Sequence, residues 1–319
     1  MFHLMNNLLR EQDLAYAVEV FDSRECLVGE GPVWDQEHRR VVWVDVLGSR
    51  ILWRNFDGSG IGVISTPSHV GAVLPTSDQR WIVCLRDGIF LTSLEQQDYV
   101  EVIKFPLIFA SDGTSPVAMR ANDAKVDPSG IIYCGVIPYD TVINSSRGAL
   151  YALSRDGLVT AISGTTLSNG IGWSPDGHTM YFVDSALGRV DKFSFNQYPD
   201  ATTRSVFATF EQSECLPDGL AVDSEGNVWV ALWGGGCVLG FDSSGQSIGK
   251  INIPAVLVTS CAFAGDDLTK MIVTSSRLDL ANGEVGGMTY LVSMPLAGVP
   301  QTLAQVGELQ SRDTFDLRS

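Results

Sequence analysis

The sequence predicts an all-β fold, namely a six-bladed β-propeller with four-stranded blades. The main observation is a repeated frame of a short apolar strand, a polar turn and a second, largely apolar strand. Six copies of it lie about 41 to 50 residues apart, centred on Asp35, Ser77, Asp127, Ser174, Asp223 and Ala264. A period of this length with three or four strands is typical of a propeller blade. The 32 glycines, many in Asp-Gly, Asn-Gly or Ser-Gly pairs, supply tight turns.

Further strands follow each frame. The second strand of the first copy contains the β-branched and aromatic run VVWV at 41–44. Candidate third strands follow their frames at 50–56, 148–154, 189–195 and 237–243, and a fourth strand fits at 204–210. The segment AYAVEVF at 15–21 has no repeat of its own. We expect it to complete the last blade as its outer strand and to close the ring.

The repeats predict one domain. We place the propeller at 14–309, with an N-terminal extension at 1–13 and a C-terminal tail at 310–319. A large β-sandwich or a pair of β domains is the alternative. The even spacing of the six frames favours the propeller.

Composition excludes several classes of partner. The formal net charge is −16 and the pI is about 4.5, so the chain would repel nucleic acid. No apolar run is long enough to span a membrane, and the N-terminal residues do not resemble a secretion signal. The six cysteines are scattered without a CxxC pair. We therefore expect a cytoplasmic protein with reduced, mostly buried thiols.

One position recurs with an oxygen-bearing side chain. Five residues before the centres of four frames stand Glu30, Asn122, Asn169 and Asp218, whereas the other two frames have Ala72 and Thr259. The first strand of each blade lines the propeller channel, so equivalent positions converge on its axis. Each of the four residues alone could serve only a turn or a loop. At one shared register they predict a site for a divalent cation.

The oxygen donors indicate which cation would bind. Carboxylates and carboxamides without His or Cys suit Ca²⁺, Mg²⁺ or Mn²⁺, and Zn²⁺ is an alternative because of its higher affinity for most ligands. Of the four histidines, only His69 lies where it could reach this site. A position on the surface or the rim is the other interpretation of His69. The chain has neither a GxSxG motif nor a glycine-rich phosphate loop that leads into a helix.

At these residues the sequence resembles the SMP-30/gluconolactonase/regucalcin-like propellers. The motifs that carry the resemblance span nearly the whole ring: GEGPVWD (29–35), MRANDAKVDPSG (119–130), LSNGIGWSPDGHTMYFVDS (167–185), LPDGLAVDSEGNVWVALWGGGCV (216–238) and VTSCAFAG (258–265). The resemblance implies metal-dependent hydrolysis of a sugar lactone to the aldonic acid. With it we expect one divalent cation, Ca²⁺ or Zn²⁺ ahead of Mg²⁺ and Mn²⁺.

The resemblance also implies roles for individual residues. Glu30, Asn169 and Asp218 would hold the metal. Asn122, Arg120 and Asp140 would contact the substrate. Asp218 is our candidate general base, since a carboxylate at the metal can accept a proton from the attacking water. A hydroxide on the metal is the competing base.

The sequence departs from the family pattern near the expected substrate site. Ala124 replaces a common glycine, and residues 135–138 read GVIP where many members have Gly-Thr-Met. These changes leave the identity of the sugar open. The alternative functions are a metal-dependent esterase or phosphotriesterase, and a non-enzymatic calcium-binding or regulatory propeller.

Overall fold

The computed structural model describes residues 16–95, 97–109, 113, 115–141, 145–211 and 215–306. The predicted extension at 1–13 and the predicted tail at 310–319 lie outside these residues. The described part of the chain is an all-β propeller, and it contains 25 strands and two short 3₁₀ helices, at Ser185–Leu187 and Ala201–Thr203. No helix in this part is long and apolar enough to cross a membrane.

The first nine strands follow the first two sequence repeats. They are β1 (Val18–Asp22), β2 (Gly29–Asp35), β3 (Arg40–Asp45), β4 (Arg50–Asn55), β5 (Ile61–Ser65), β6 (Val70–Pro75), β7 (Trp81–Leu85), β8 (Gly88–Thr92) and β9 (Val100–Lys104). Two antiparallel four-stranded sheets result, one in the order β2-β3-β4-β5 and one in the order β6-β7-β8-β9. Strand β3 is buried over its whole length, as its β-branched and aromatic residues predict.

The next two repeats form two more sheets. Their strands are β10 (Met119–Val126), β11 (Ile132–Pro138), β12 (Gly148–Ser154), β13 (Gly157–Thr165), β14 (Ser168–Trp173), β15 (Thr179–Asp184), β16 (Arg189–Asn196), β17 (Tyr198–Pro199) and β18 (Ser205–Thr209). Strands β10 to β13 make a four-stranded sheet. Strands β14 to β18 make a five-stranded sheet, because β16 pairs with both β17 and β18.

The last strands join β1 in one large sheet. They are β19 (Leu216–Val222), β20 (Val228–Trp233), β21 (Cys237–Phe241), β22 (Ser247–Asn252), β23 (Leu257–Ala264), β24 (Lys270–Ser276) and β25 (Thr289–Ser293). Strands β19 to β22 and strands β23 to β25 are joined by antiparallel pairing of Trp233 with Leu257. The result is a sheet of eight strands.

The prediction of six four-stranded blades is therefore wrong. In the described residues, four sheets stand alone as units of four or five strands, and the remaining strands merge into the eight-stranded sheet. The strand at 15–21 was predicted to close the ring as the outer strand of a sixth blade, and the structure does not show this closure. In the structure, β1 is the edge strand of the eight-stranded sheet, where Val18 lies opposite Val292 of β25.

The repeated turn has a physical basis in its first residue. The carboxylate of Asp127 accepts hydrogen bonds from the backbone N–H groups of Ser129 and Ile131, both at 2.8 Å. Asp223 accepts from Glu225 and Asn227 in the same way, at 3.0 and 2.9 Å. Each turn thus satisfies its own backbone donors, which fixes the hairpin between the first two strands of the repeat.

The structure agrees with the prediction of reduced, mostly buried cysteines. Cys26, Cys84, Cys134 and Cys261 are buried thiols that form no disulfide. Burial raises the pKa of Cys261 to about 12, so its thiol stays protonated and unreactive at neutral pH. The cytoplasmic location stays a prediction.

Candidate functional site

The first strand of each repeat faces a central channel. We call these strands, β2, β6, β10, β14, β19 and β23, the inner strands. Each contacts its neighbours: β6 packs on β2 and β10, β14 packs on β10 and β19, and β23 packs on β19 and β2. Residues at the same register of the inner strands are therefore brought together, as the sequence predicted.

Every inner strand carries a β-bulge at that register. The pairing with the following strand shifts between Glu30 and Val33, Val70 and Ala72, Ala121 and Ala124, Ser168 and Ile171, Pro217 and Leu220, and Val258 and Ser260. A bulge changes the direction of the side chains in the strand that carries it. The bulges include Glu30, Asn122, Asn169 and Asp218 at or beside the shifted register, which explains why the sequence spacing located these residues.

Five of the six predicted site residues line one cavity, the site cavity, of about 190 Å³. Its lining comprises Val28, Glu30, Leu47, Arg120, Asn122, Leu167, Asn169, Ser185, Leu216, Pro217, Asp218, Trp233 and Leu278. Asp140 is exposed and is not part of this lining. Its predicted contact with the substrate stays a prediction.

A chain of hydrogen bonds orients the polar residues of the cavity. Arg120 Nη1 donates to Asn122 Oδ1 at 2.7 Å, and Asn122 Nδ2 donates to Asn169 Oδ1 at 2.5 Å. Asn169 Nδ2 donates to Ser185 Oγ at 2.8 Å. Ser185 Oγ in turn donates to the carbonyl of Pro217 at 2.6 Å, one residue before Asp218. The chain fixes both carboxamides, so that their oxygens and nitrogens have defined directions.

Ser185 was missed from the sequence. It follows strand β15, and its hydroxyl lies between Asn169 and the backbone of β19. A serine after the motif FVD carries no recognisable signal on its own, since its role depends on the approach of two different inner strands.

The two carboxylates of the cavity are buried close to one another. Burial raises the pKa of Glu30 to about 8, and the negative charge of Asp123 adds to this shift. Burial also raises the pKa of Asp218 well above its usual range, and the negative charges of Glu30 and Asp123 raise it further. Arg120 opposes both shifts. The protein around Glu30 and Asp218 thus provides too little positive charge to stabilise both carboxylates in their ionised form.

Asp218 has an unsatisfied acceptor. Its Oδ1 is buried and has no hydrogen-bond partner among the described residues. A buried carboxylate oxygen without a partner is costly unless a ligand satisfies it. Together with Glu30 and the Oδ1 of Asn169, it provides the hard oxygen donors that a divalent cation prefers. The described residues contain no group of three His, Cys, Asp or Glu placed to hold a metal, and here one of the three donors is a carboxamide.

Asp123 and Lys125 were also missed. They lie on β10 just after Asn122, and they line a second cavity of about 170 Å³ further along the inner strands. Lys125 Nζ donates to the carbonyl of Leu220 at 3.0 Å. Burial raises the pKa of Asp123 to about 6, with Lys125 opposing the shift. The pair therefore places one negative and one positive charge further along β10 from Arg120 and Asn122 of the site cavity.

Glycines beside the site residues allow the inner strands to approach closely. A Cβ on Gly71 of β6 would lie 2.5 Å from the carbonyl oxygen of Asn122. A Cβ on Gly170 of β14 would lie 2.6 Å from that of Asp218. Both distances are shorter than any ordinary contact, and both clashes are with backbone, which has little room to move.

Gly71→Ala should therefore disturb the fold and the site together. We expect a loss of about 1–3 kcal/mol in the free energy of unfolding and weaker binding of divalent cations, because β10 has to shift away from β6. Chemical denaturation and calcium titration would measure the two effects. Gly249→Ala is the matched control, since its Cβ would meet only Tyr16 Oη at 3.8 Å. Wild-type stability and cation affinity in Gly71→Ala would contradict the prediction.

Comparison with known proteins identifies close relatives. A sequence model described as the SMP-30/Gluconolactonase/LRE-like region matches residues 28–277. A putative sugar lactone lactonase of Bacillus subtilis, YvrE, is 33% identical over 271 residues, which cover 84% of this chain and 89% of the relative. The pentonolactonase XacC of Haloferax volcanii is 29% identical over 299 residues, which cover 88% and 96% of the two chains.

A solved structure supports the same relationship. The crystal structure of a calcium-binding protein, regucalcin, from Agrobacterium tumefaciens matches with a TM-score of 0.83. The two chains are 25% identical, and the match covers 91% of this chain and 98% of the other.

Proposed function

Because this chain belongs to the SMP-30/gluconolactonase/LRE-like family, we propose that it is a lactonase that hydrolyses sugar lactones to aldonic acids with the help of one divalent cation. The observation that carries the proposal is the site cavity. Two buried carboxylates, two oriented carboxamides and one arginine converge there from four inner strands. Two relatives whose names include the words lactonase or pentonolactonase support the same chemistry.

Glu30, Asn169 and Asp218 would hold the cation. Their oxygens form a set of hard donors, and the buried Oδ1 of Asp218 needs a partner. A bound divalent cation supplies Lewis-acid polarisation of the lactone carbonyl. The solved regucalcin described as calcium-binding supports Ca²⁺ as the first cation to test, with Zn²⁺, Mg²⁺ and Mn²⁺ as alternatives.

Asp218 is the general base. A water adds to the carbonyl carbon of the lactone, and Asp218 takes its proton. When the bond between that carbon and the ring oxygen breaks, the same proton returns to the leaving oxygen. Atoms balance because one water is consumed and one hydroxy acid is formed. A carboxylate has two oxygens, so one oxygen of Asp218 can face the cation while the other takes the proton.

Arg120 and Asn122 position the substrate. The guanidinium of Arg120 is held by the carbonyl of Ala121 and by Asn122 Oδ1, at 3.0 and 2.7 Å. A guanidinium fixed in this way presents its remaining donors in one direction, toward a hydroxyl or the carbonyl of the lactone. Asp140 would add a contact only where a substrate reaches out to its exposed loop.

A metal-exchange assay tests the proposal. The protein is stripped with a chelator, refilled with Ca²⁺, Mg²⁺, Mn²⁺ or Zn²⁺ in turn, and assayed for acid release from a panel of aldonolactones. We expect turnover to vanish on chelation and to return with at least one metal. Carboxylic esters and phosphotriesters are included as rival substrates. Turnover of these alone would replace the lactonase by an esterase, and tight cation binding without any turnover would favour a regulatory calcium-binding protein.

A further inference from the structure

His69 and Tyr139 form a contact between two sheets. His69 Nδ1 and Tyr139 Oη lie 2.9 Å apart, and the ring centroids are separated by 5.6 Å with a tilt of 50°. His69 immediately precedes β6, and Tyr139 immediately follows β11. The backbone N–H of Tyr139 donates to the carbonyl of Ala118 at 2.9 Å, which holds the tyrosine beside β10. We call His69 and Tyr139 the rim pair.

The topology places the rim pair at the same end of the inner strands as the site cavity, although neither residue is part of the lining of that cavity. In other repeats, residues just before an inner strand line the cavity, as Val28 and Leu167 do. Residues just after the second strand of a repeat line it as well, namely Leu47, Ser185 and Leu278. His69 and Tyr139 occupy these two kinds of position in the sheets β6–β9 and β10–β13. The pair therefore lies at the same end of the channel as the site.

The strand register puts Tyr139 on the same face as Arg120. Arg120 of β10 pairs with Ile137 of β11, and Tyr139 is two residues further along the same chain. Residues two apart on a strand point to the same face, and such diagonal neighbours lie about 7–8 Å apart. The charge of Arg120 acts on both members of the rim pair, which agrees with this placement. Moving outward from Asp218, a substrate would meet Arg120 and then the rim pair.

The rim pair offers groups that match a sugar. Tyr139 is 41% exposed, and its hydroxyl can donate or accept. Burial lowers the pKa of His69, and the positive charges of Arg120 and Arg86 lower it further. The imidazole is therefore neutral near pH 7. A neutral imidazole has one donor and one acceptor nitrogen. Among the described residues, its ring bonds only to Tyr139, through Nδ1, which leaves Nε2 for a ligand.

We propose that His69 and Tyr139 bind the hydroxyl groups of a sugar lactone that lie farthest from its reacting carbonyl, and thereby determine which hydroxylated lactones the enzyme prefers. The inference deepens the proposed function and rests on it. The reacting carbonyl lies at Asp218 and Glu30, Arg120 holds the middle of the ring, and the rim pair contacts the distal hydroxyls. A lactone without hydroxyls makes no use of these contacts.

Steady-state kinetics on two matched substrates test this inference. A fully hydroxylated hexono-1,5-lactone and unsubstituted δ-valerolactone share the same ring. For Tyr139→Phe and His69→Gln, we expect KM for the hydroxylated lactone to rise about three- to tenfold with little change in kcat, which is the loss of one hydrogen bond. The kcat/KM for δ-valerolactone should change less than twofold. A purely structural link between the two sheets would change both substrates by the same factor.

The controls separate the possible failures. His178→Gln is the matched control, because His178 lies in the turn between β14 and β15, away from the beginning of the inner strands. Thermal unfolding of each variant checks folding, and calorimetric binding of the aldonate product provides a second measurement that does not depend on δ-valerolactone turnover. If the wild type is active and the variants lose activity equally on both lactones, the role of the rim pair is overturned while the proposed function stands. Unchanged KM and product affinity in the variants would have the same meaning. A wild type that hydrolyses no lactone overturns the proposed function and this inference with it.

Discussion

Replacing Asp218 with asparagine should lower kcat for lactone hydrolysis by about 10²- to 10⁴-fold, the usual contribution of a positioned general base. The change keeps the shape of the side chain but removes its negative charge and its ability to accept a proton. Because Asp218 is also a proposed cation ligand, the affinity for the cation should fall as well. Kinetics at saturating cation, together with calorimetric titration of the stripped protein, measure the two effects separately.

The split between these two readouts decides the role of Asp218. Lost turnover at full cation occupancy supports the general base, whereas turnover that returns at high cation concentration supports a ligand only. Asp242→Asn is the matched control, since Asp242 lies in the β21–β22 turn and its carboxylate accepts hydrogen bonds from Ser244 and Gln246 of the same turn. Its kcat should stay within about twofold of the wild type. More than a tenth of wild-type turnover in Asp218→Asn, with normal cation affinity, would show that Asp218 is neither base nor ligand.

The repeat in the sequence located the site because one strand position has one structural role. Glu30, Asn122, Asn169 and Asp218 stand at the same distance from the turn that ends each inner strand. The turn is fixed by local hydrogen bonds, as at Asp223, and the strand pairs regularly between the bulge and the turn. Local sequence rules therefore predicted which strand position faces the channel, even though no single motif identified the site.

The same local rules could not give the sheet organisation. The frames predicted separate blades, but Trp233 pairs with Leu257, 24 positions further along the chain, and merges two sets of strands into one sheet. Whether neighbouring repeats share hydrogen bonds depends on the distance between them in space, which strand periodicity does not contain. Ser185 and Tyr139 were missed for the same reason, since each acts across two repeats. His69 was recognised as the one histidine able to reach the site, but its partner was not.

The metal-free protein should become less stable as the pH rises from about 4.5 to about 8. Burial raises the pKa of Glu30 from 4.5 to about 8, that of Asp123 from 3.8 to about 6, and that of Asp218 in the same direction. The folded state therefore holds more protons than the unfolded state throughout this window. Stability falls with pH wherever the folded state binds more protons, so it is greatest below the unfolded pKa values and is lost as the pH passes the folded ones.

The expected size follows from the shifts. One pKa unit corresponds to about 1.4 kcal/mol. Because the pKa of Glu30 is raised to about 8, its protonation difference extends over about three units between pH 5 and pH 8, and this residue alone would cost about 4 kcal/mol in that range. In a protein of this size that is a fall in Tm of roughly 5–10 °C. Differential scanning calorimetry across this range, with the chelated protein, measures it.

A bound cation should cancel most of this loss. A divalent cation neutralises the charges that burial disfavours, and at 100 times its Kd it adds about 2.7 kcal/mol to the stability of the folded state. Glu30→Gln combined with Asp218→Asn should remove most of the dependence of Tm on pH in the metal-free protein, since two of the three titrating groups are replaced and only Asp123 remains. The control Asp242→Asn should keep the wild-type slope, because hydrogen bonds within its turn lower the pKa of Asp242 and place its titration below this window. A wild-type slope in the double variant would mean that Glu30 and Asp218 are not the groups whose charge the site must offset, and the proposed cation ligands would then have to be sought elsewhere in the channel.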